Sequence, residues 1–274
     1  MDKLTIITLF RTHTEEMYDM HCDFINSLKI STRESKVEIE LIIIENNSSG
    51  SNEQIYWKDK FAKESAVSYA SRRIKDLGQV PFNMNKFYNM GEEESIFKDD
   101  KSSFICFCNS DLVFRPGWWE AIKEGFEKAG PDAGSIIPAS SIPTFQFDQV
   151  TANGSKSFEG FRVGPPFFRM APLGVSGPGW MFLFKRSTWD NLKPWPEEFR
   201  GWYQDWEIYR RMQDKGFKSY AVYSGTVDHL EGRSFKKLRS ENPSEFKALT
   251  NDQKSIYEKA FEIENASNQS GYEK

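Results

Sequence analysis

Residues 104–119, Phe-Ile-Cys-Phe-Cys-Asn-Ser-Asp-Leu-Val-Phe-Arg-Pro-Gly-Trp-Trp, run apolar, stop at a carboxylate and are then turned by Pro116-Gly117. A near-continuous apolar strand belongs in a sheet covered on both faces, and ligands of open α/β sheets gather beyond the carboxyl ends of such strands. The chain is therefore expected to be α/β, with Asp111 delivered to a sheet edge. An aspartate there either opens a turn or serves a metal or polar ligand, and this stretch alone favours neither reading.

The preceding segments set that strand in a repeating pattern. Leu4–Phe10 reads as a strand, and Met17, Met20, His21, Phe24, Ile25 and Leu28 recur at helical spacing within 12–28. Ile39 and Leu41–Ile44 then form a β-branched run that ends at Glu45 and the polar stretch Asn46–Ser51. Strand, helix and strand in this order predict a right-handed parallel βαβ unit, which brings Arg11, the 46–51 loop and Asp111 to one edge. Further on, 53–77 reads as helix, 80–82 as a short strand, 83–94 as a loop entering a helix, and 118–129 as a helix. Strands are expected at 134–138, 180–185 and 220–227, with a helix at 205–215. Residues 140–175, rich in Phe, Gly and Pro, read as an irregular binding loop. Beyond Pro243 one helix and a polar tail are expected. One main domain at 1–230 and an extension at 231–274 follow.

Lys plus Arg number 36 against 40 Asp plus Glu, and the net charge of −4 gives no overall attraction to nucleic acid or an anionic membrane. The three cysteines, Cys22, Cys106 and Cys108, read as reduced thiols, because two of them share one face of a single strand. The first strand meets Arg11 too early to serve as a signal peptide, and no apolar run approaches the ~20 residues needed to span a bilayer. A cytoplasmic protein is expected.

Four segments in order resemble the inverting nucleotide-sugar glycosyltransferases of the GT-A fold, family 2 group, over about residues 4–230. Ile44-Glu45-Asn46-Asn47-Ser48-Ser49 resembles the family's V-D-N-G-S-T, Asn89-Met90-Gly91 its N-x-G, and Asn109-Ser110-Asp111 its D-x-D. Tyr203-Gln204-Asp205-Trp206-Glu207 with Arg210, Arg211 and Gly216 resembles its E-D-x-D-L-x-x-R-x-x-x-G. Three positions depart from the pattern: Asn109 replaces an acid, Gln204 a Glu, and Glu45 an Asp.

The resemblance implies a Rossmann-like three-layer α/β/α sandwich with a mostly parallel central sheet, and metal-dependent inverting transfer from a UDP-sugar to an acceptor hydroxyl. It implies Mn²⁺ or Mg²⁺ at Asp111 with His229, Asp205 as general base, and donor contacts from Thr8, Arg11, Glu45, Asn89 and Asn109. Gly179, Trp180, Trp202 and Gln204 would meet the acceptor or donor sugar. Simpler roles stand beside these: Asp205 as a helix cap, His229 as a polar strand end, the aromatics as core, Glu207 as an exposed residue. Two other functions fit the residues. One is transfer to a hydroxyl of a modified nucleic-acid base, with Arg233, Lys236, Lys237 and Arg239 tracking phosphates. The other is a nucleotide-sugar binding protein without catalysis. A nucleotidyltransferase is disfavoured by the lack of a glycine-rich phosphate loop with its lysine near the first strand.

Overall fold

The structure is a computed structural model that describes residues 1–46, 52–66, 72–77, 82–140, 161–163, 168–172, 179–201 and 204–230, with isolated positions between 243 and 255. Its centre is laid down by β1 (Asp2–Phe10) and β2 (Val37–Glu45), parallel neighbours whose pairing runs from Asp2 opposite Val37 to Phe10 opposite Glu45. Between them, α1 (Glu15–Ser31) is capped by Thr14, whose hydroxyl accepts from the Met17 amide, and begins with Glu15 and Glu16. Those acids complement the positive end of the helix dipole. The expected βαβ unit is present.

After α2 (Asn52–Ala66), β3 (Arg72–Asp76) pairs in parallel with β2. Helix α3 (Met84–Glu93) precedes β4 (Phe104–Cys108), which lies parallel to β1 on its other side. The chain continues through β5 (Leu112–Phe114), α4 (Trp118–Ala129), β6 (Ala133–Ser140), β7 (Phe161–Val163) and β8 (Phe168–Pro172). It then forms β9 (Met181–Lys185), α5 (Arg186–Leu192), α6 (Gln204–Asp214) and β10 (Lys218–His229). The sheet order is β3-β2-β1-β4-β9-β6-β10-β8-β7, with β5 paired to β10. In the central part only β9 runs against its neighbours β4 and β6. Each face carries its own core. Phe24, Leu28, Phe61, Trp118 and Phe126 cover one side, and Phe87, Tyr88, Trp189, Trp195 and Tyr209 the other. This is the expected three-layer sandwich.

Two local expectations fail for identifiable reasons. The helix expected over 53–77 ends at Ala66, and Arg72-Arg73-Ile74-Lys75-Asp76 is a strand. As the outermost strand of that side it carries charge where a buried strand would carry apolar residues, a pattern that protects an exposed edge and hides the strand from periodicity. The irregular 140–175 stretch contains β7 and β8, which add antiparallel strands beyond β10. The expected strand at 80–82 lies largely outside the described residues, as do most of 231–274 and the whole basic cluster 233–239. Cys106 and Cys108 lie buried in β4 as free thiols, and Cys22 is half-buried on α1. Among the described residues no helix is long and apolar enough to cross a membrane.

Gly91 explains one motif. A Cβ there would sit 2.5 Å from Ile7 Cγ2, so the glycine lets α3 lie directly on β1. It is a packing residue.

Candidate active site

The carboxyl ends of β1, β2 and β4 meet the start of β9 and the end of β10. Strand β4 ends at Cys108, opposite Met181 at the start of β9, and the Asn109 amide donates to the Trp180 carbonyl at 2.9 Å. This antiparallel pairing carries Gly179-Trp180 to the place where β4 releases Asp111. Strand β10 arrives through β5, with His229 opposite Leu112, and the Leu230 amide donates to the Asp111 carbonyl at 2.9 Å. Two chain segments remote in sequence are thus locked at one point.

The side chains follow. His229 Nε2 lies 3.3 Å from Asp111 Oδ1, and both residues are buried. The imidazole stacks on Trp180, with ring centroids 5.1 Å apart and planes at 14°. The residue before it, Asp228, accepts from Arg115 Nε at 2.8 Å in an ion pair that anchors the end of β10. Asn109 Nδ2 is 3.4 Å from His229 Nε2. One imidazole nitrogen cannot donate to the Asp111 carboxylate and accept from the Asn109 amide in the same protonation state. A cation held by the carboxylate and the neutral ring nitrogen removes that conflict.

The donor set therefore fits a divalent ion, with one carboxylate and one imidazole. Among the described residues no group of three or more His, Cys, Asp or Glu could hold a metal. Two protein ligands suffice where substrate phosphates and water complete the shell. The imidazole favours Mn²⁺ over Mg²⁺, which takes oxygen ligands almost exclusively.

Asp205 approaches from the opposite layer. It occupies the first turn of α6, and its Oδ1 accepts from the Trp206 amide at 3.0 Å. Burial raises its carboxyl from the usual aspartate range to about 6, against the lowering effect of that backbone bond. It packs on Gly179: a Cβ there would meet Asp205 Oδ2 at 2.9 Å and its Cβ and Cγ at 3.2 Å. Gly179→Ala is accordingly expected to displace Asp205 and lower kcat by roughly 10- to 100-fold with nucleotide affinity unchanged, as steady-state kinetics beside calorimetry would show. Asp205 and the Asp111–His229 pair thus flank the same dipeptide, Gly179-Trp180.

Glu207 lies in the first turn of the helix that carries Asp205 and pairs within it. Its oxygens accept from Arg210 Nε at 2.9 Å and Arg211 Nε at 2.7 Å, and these bonds hold its carboxyl low against the effect of burial. Arg211 in turn donates to the carbonyls of Leu192 and Pro194. Glu207 holds the arginine that ties α6 to the 192–194 segment and is not an ordinary exposed residue.

Other expected residues stand elsewhere or face differently. Thr8 lies fully buried within β1 and does not follow it. Asn89 is taken up by the 195–197 segment: its amide donates to the Trp195 carbonyl and Glu197 Oε1, and its Oδ1 accepts from the Trp195 amide at 2.9 Å. It lines a cavity of about 450 Å³ with Glu92, Lys193, Glu197 and Arg211, which includes neither Asp111, Asp205 nor His229. Trp180 is 2% exposed and backs the imidazole, so it offers no open face to a sugar. Gln204 is buried, and its Oε1 has no hydrogen-bond partner among the described residues. Arg11 is exposed just beyond β1. Trp202, Asn47–Ser51 and Gly177-Pro178 lie outside the described residues.

Glu45 is 2% exposed and faces inward: Thr12 donates to it twice, from the amide to Oε1 at 2.8 Å and from the hydroxyl to Oε2 at 3.0 Å. Thr12 carried no motif and His21 read only as part of an apolar helix face. Both belong to the site's foundation, which only tertiary packing reveals.

No family model and no curated protein sequence matches this chain. Solved structures do. A mannosyltransferase from Pyrobaculum calidifontis, in complex with GDP-Man and Mn²⁺, aligns with a TM-score of 0.52 at 10% identity, over 86% of this chain and 59% of its own. Glucosyl-3-phosphoglycerate synthase from Mycobacterium tuberculosis, in complex with Mn²⁺, UDP and phosphoglyceric acid, aligns at 0.49 with 12% identity, over 86% and 73%. The catalytic domain of Drosophila β1,4-galactosyltransferase 7, in complex with xylobiose, aligns at 0.48 with 13% identity, over 86% and 74%. At such identity the likeness to the mannosyltransferase is one of fold: this chain has the GT-A fold.

Proposed function

We propose that this protein is a metal-dependent inverting glycosyltransferase that moves a sugar, expected to be a hexose, from a nucleoside diphosphate donor, expected to be UDP, to an acceptor hydroxyl. The observation that supports this best is the carboxyl of Asp205, raised to about 6 and seated on Gly179, one residue from the tryptophan that backs the Asp111–His229 pair.

Inversion needs a base on the face of the sugar opposite the leaving diphosphate. Asp205 has the required properties: ionised at neutral pH, more basic than an ordinary aspartate, and carried on a different layer from Asp111. It takes the proton of the acceptor hydroxyl as that oxygen attacks the anomeric carbon. Asp111 and His229 would hold Mn²⁺, which when bound neutralises the charge that grows on the departing diphosphate. Asn109 would donate to a donor oxygen, and Arg11 would supply a cation at the same edge. On the acceptor side Trp206, 50% exposed in the first turn of α6, is the tryptophan among the described residues that opens widely to solvent and suits stacking on a sugar face. The mannosyltransferase of like fold, with its GDP-Man and Mn²⁺, supports a nucleotide-sugar and manganese requirement without fixing the base.

A screen of UDP- and GDP-sugars with Mn²⁺, following nucleotide release and then the anomeric configuration of the product by NMR, tests the reading. Turnover with inversion is expected. Turnover with retention would remove Asp205 from the role of base, and absence of turnover with any donor would favour a binding protein.

A further inference from the structure

We infer that Glu45, Thr12 and His21 form a buried positioning relay that sets the turn after β1 for the donor diphosphate, and that Glu45 does not read the nucleobase. This rests on the nucleotide-sugar reading above.

All three residues are almost fully enclosed, at 2%, 0% and 1% exposure. The Thr12 hydroxyl lies 3.0 Å from Glu45 Oε2 and 2.9 Å from His21 Nδ1. A hydroxyl has one hydrogen, and a carboxylate can only accept, so that hydrogen goes to Glu45 and Thr12 Oγ1 accepts from His21 Nδ1–H. The imidazole cannot swing away, because it stacks on Phe10 with centroids 3.9 Å apart and planes at 10°, and meets Phe61 edge-on. Burial lowers the His21 pKa to about 3, against the opposing pull of Asp111, so the ring is neutral and the relay carries one fixed tautomer.

At the other end both oxygens of Glu45 hold Thr12, one through its amide and one through its hydroxyl. The Glu45 backbone meanwhile stays in the ladder: Asn46 N donates to the Phe10 carbonyl at 3.0 Å and Leu77 N to the Glu45 carbonyl at 3.0 Å. With the main chain fixed on both sides, an aspartate would withdraw its carboxylate by one C–C bond, roughly 1.5 Å, and break both contacts. The longer side chain is explained by the reach to Thr12. What the relay fixes is the segment Arg11-Thr12-His13, where Arg11 is exposed at the edge shared with Asp111. A cation carried on that fixed backbone would serve the diphosphate of any nucleotide and carry no base preference.

The two roles separate in one set of titrations. Wild type, Glu45→Asp, Thr12→Val and Thr12→Ser are titrated by calorimetry with UDP, GDP and inorganic pyrophosphate in the presence of Mn²⁺, with thermal midpoints as a folding control. The relay predicts that Glu45→Asp and Thr12→Val weaken every ligand the wild type binds, pyrophosphate included, by a similar factor of roughly ten, and that Thr12→Ser restores affinity. A structural defect alone would lower the midpoint without this graded rescue. Glu45→Gln keeps the length of the side chain and one acceptor, and serves if Thr12→Val does not fold; an equal, smaller loss for all ligands is then expected. Loss confined to one nucleotide, with pyrophosphate affinity intact, would overturn the inference and assign Glu45 to base reading. Unchanged affinities in all variants would overturn it as well. Wild type that binds neither nucleotide nor pyrophosphate would instead remove the donor reading on which it stands.

Discussion

Asp205→Asn is expected to lower kcat by about 10²- to 10⁴-fold while leaving nucleotide affinity within a factor of two of wild type. The amide keeps the shape of the side chain and its contact with Gly179, but it cannot take a proton. In wild type, kcat should rise with pH along an acid limb with an apparent pKa near 6, the value to which burial brings the carboxyl, and the residual activity of the variant should lack that limb. Stability moves the other way. The folded pKa is raised above that of the unfolded chain, so the folded state holds the proton more tightly. The contribution of Asp205 to stability is present below the unfolded pKa, near 4, and is lost as pH rises to about 6. At pH 7 the ionised carboxylate is a net burden of at most about 3 kcal/mol, since each tenfold change in proton affinity corresponds to about 1.4 kcal/mol. Asp205→Asn should therefore be no less stable than wild type at pH 7 by denaturant titration. A residue kept for structure alone would show the reverse: a stability loss and little change in rate.

Arg186→Ala is expected to destabilise the fold by about 3–5 kcal/mol, since it removes a fully enclosed cation and leaves the buried Glu40 carboxylate, with the hydroxyls that link the two, uncompensated. Arg186 is fully enclosed at the start of α5, below the sheet edge opposite the site. Its guanidinium meets Glu92 Oε1 at 3.2 Å, Thr5 Oγ1 at 3.3 Å and Ser95 Oγ at 3.4 Å. The same two hydroxyls donate to Glu40, itself 1% exposed, which also accepts from the Ile96 amide at 3.1 Å. This network joins β1, β2, α3 and α5. A fall in thermal midpoint of roughly 10 °C follows for a chain of this size. Arg186→Lys keeps the charge but loses the planar fork, and should fall between the two. A midpoint unchanged in Arg186→Ala would show that the network contributes little and that the apolar layers suffice.

Much of this architecture was legible because apolar runs and abrupt stops mark parallel strands well. The runs at 4–10, 39–44 and 104–108 became β1, β2 and β4, and the carboxylate closing the last of them sits at the sheet edge as expected. Strand β3 was hidden by its charged edge sequence. The short β5 was hidden because Leu112–Phe114 follows directly on a turn and pairs only with the distant β10. At the site, residues at strand ends were identifiable, since topology alone brings Asp111, His229 and Gly179 together. Side-chain direction was not. Asn89 and Glu45 match positions in a motif, yet one is taken up by the Trp195–Glu197 segment and the other by Thr12. Trp180, expected to meet a sugar, serves as the wall behind an imidazole. Those outcomes depend on partners about 30 to 120 residues away, as the pairs Thr12–Glu45 and Asn109–His229 show, and periodicity holds no record of them.

The most direct test of the central claim is a calorimetric titration of UDP and of GDP into the protein, with Mn²⁺ and with chelator, repeated on Asp111→Asn. The account predicts that one nucleotide binds with Mn²⁺, that chelator weakens it at least ten-fold, and that Asp111→Asn abolishes the difference between the two conditions. Binding of either nucleotide that is indifferent to both metal and Asp111 would contradict the assignment of this strand end as the donor site.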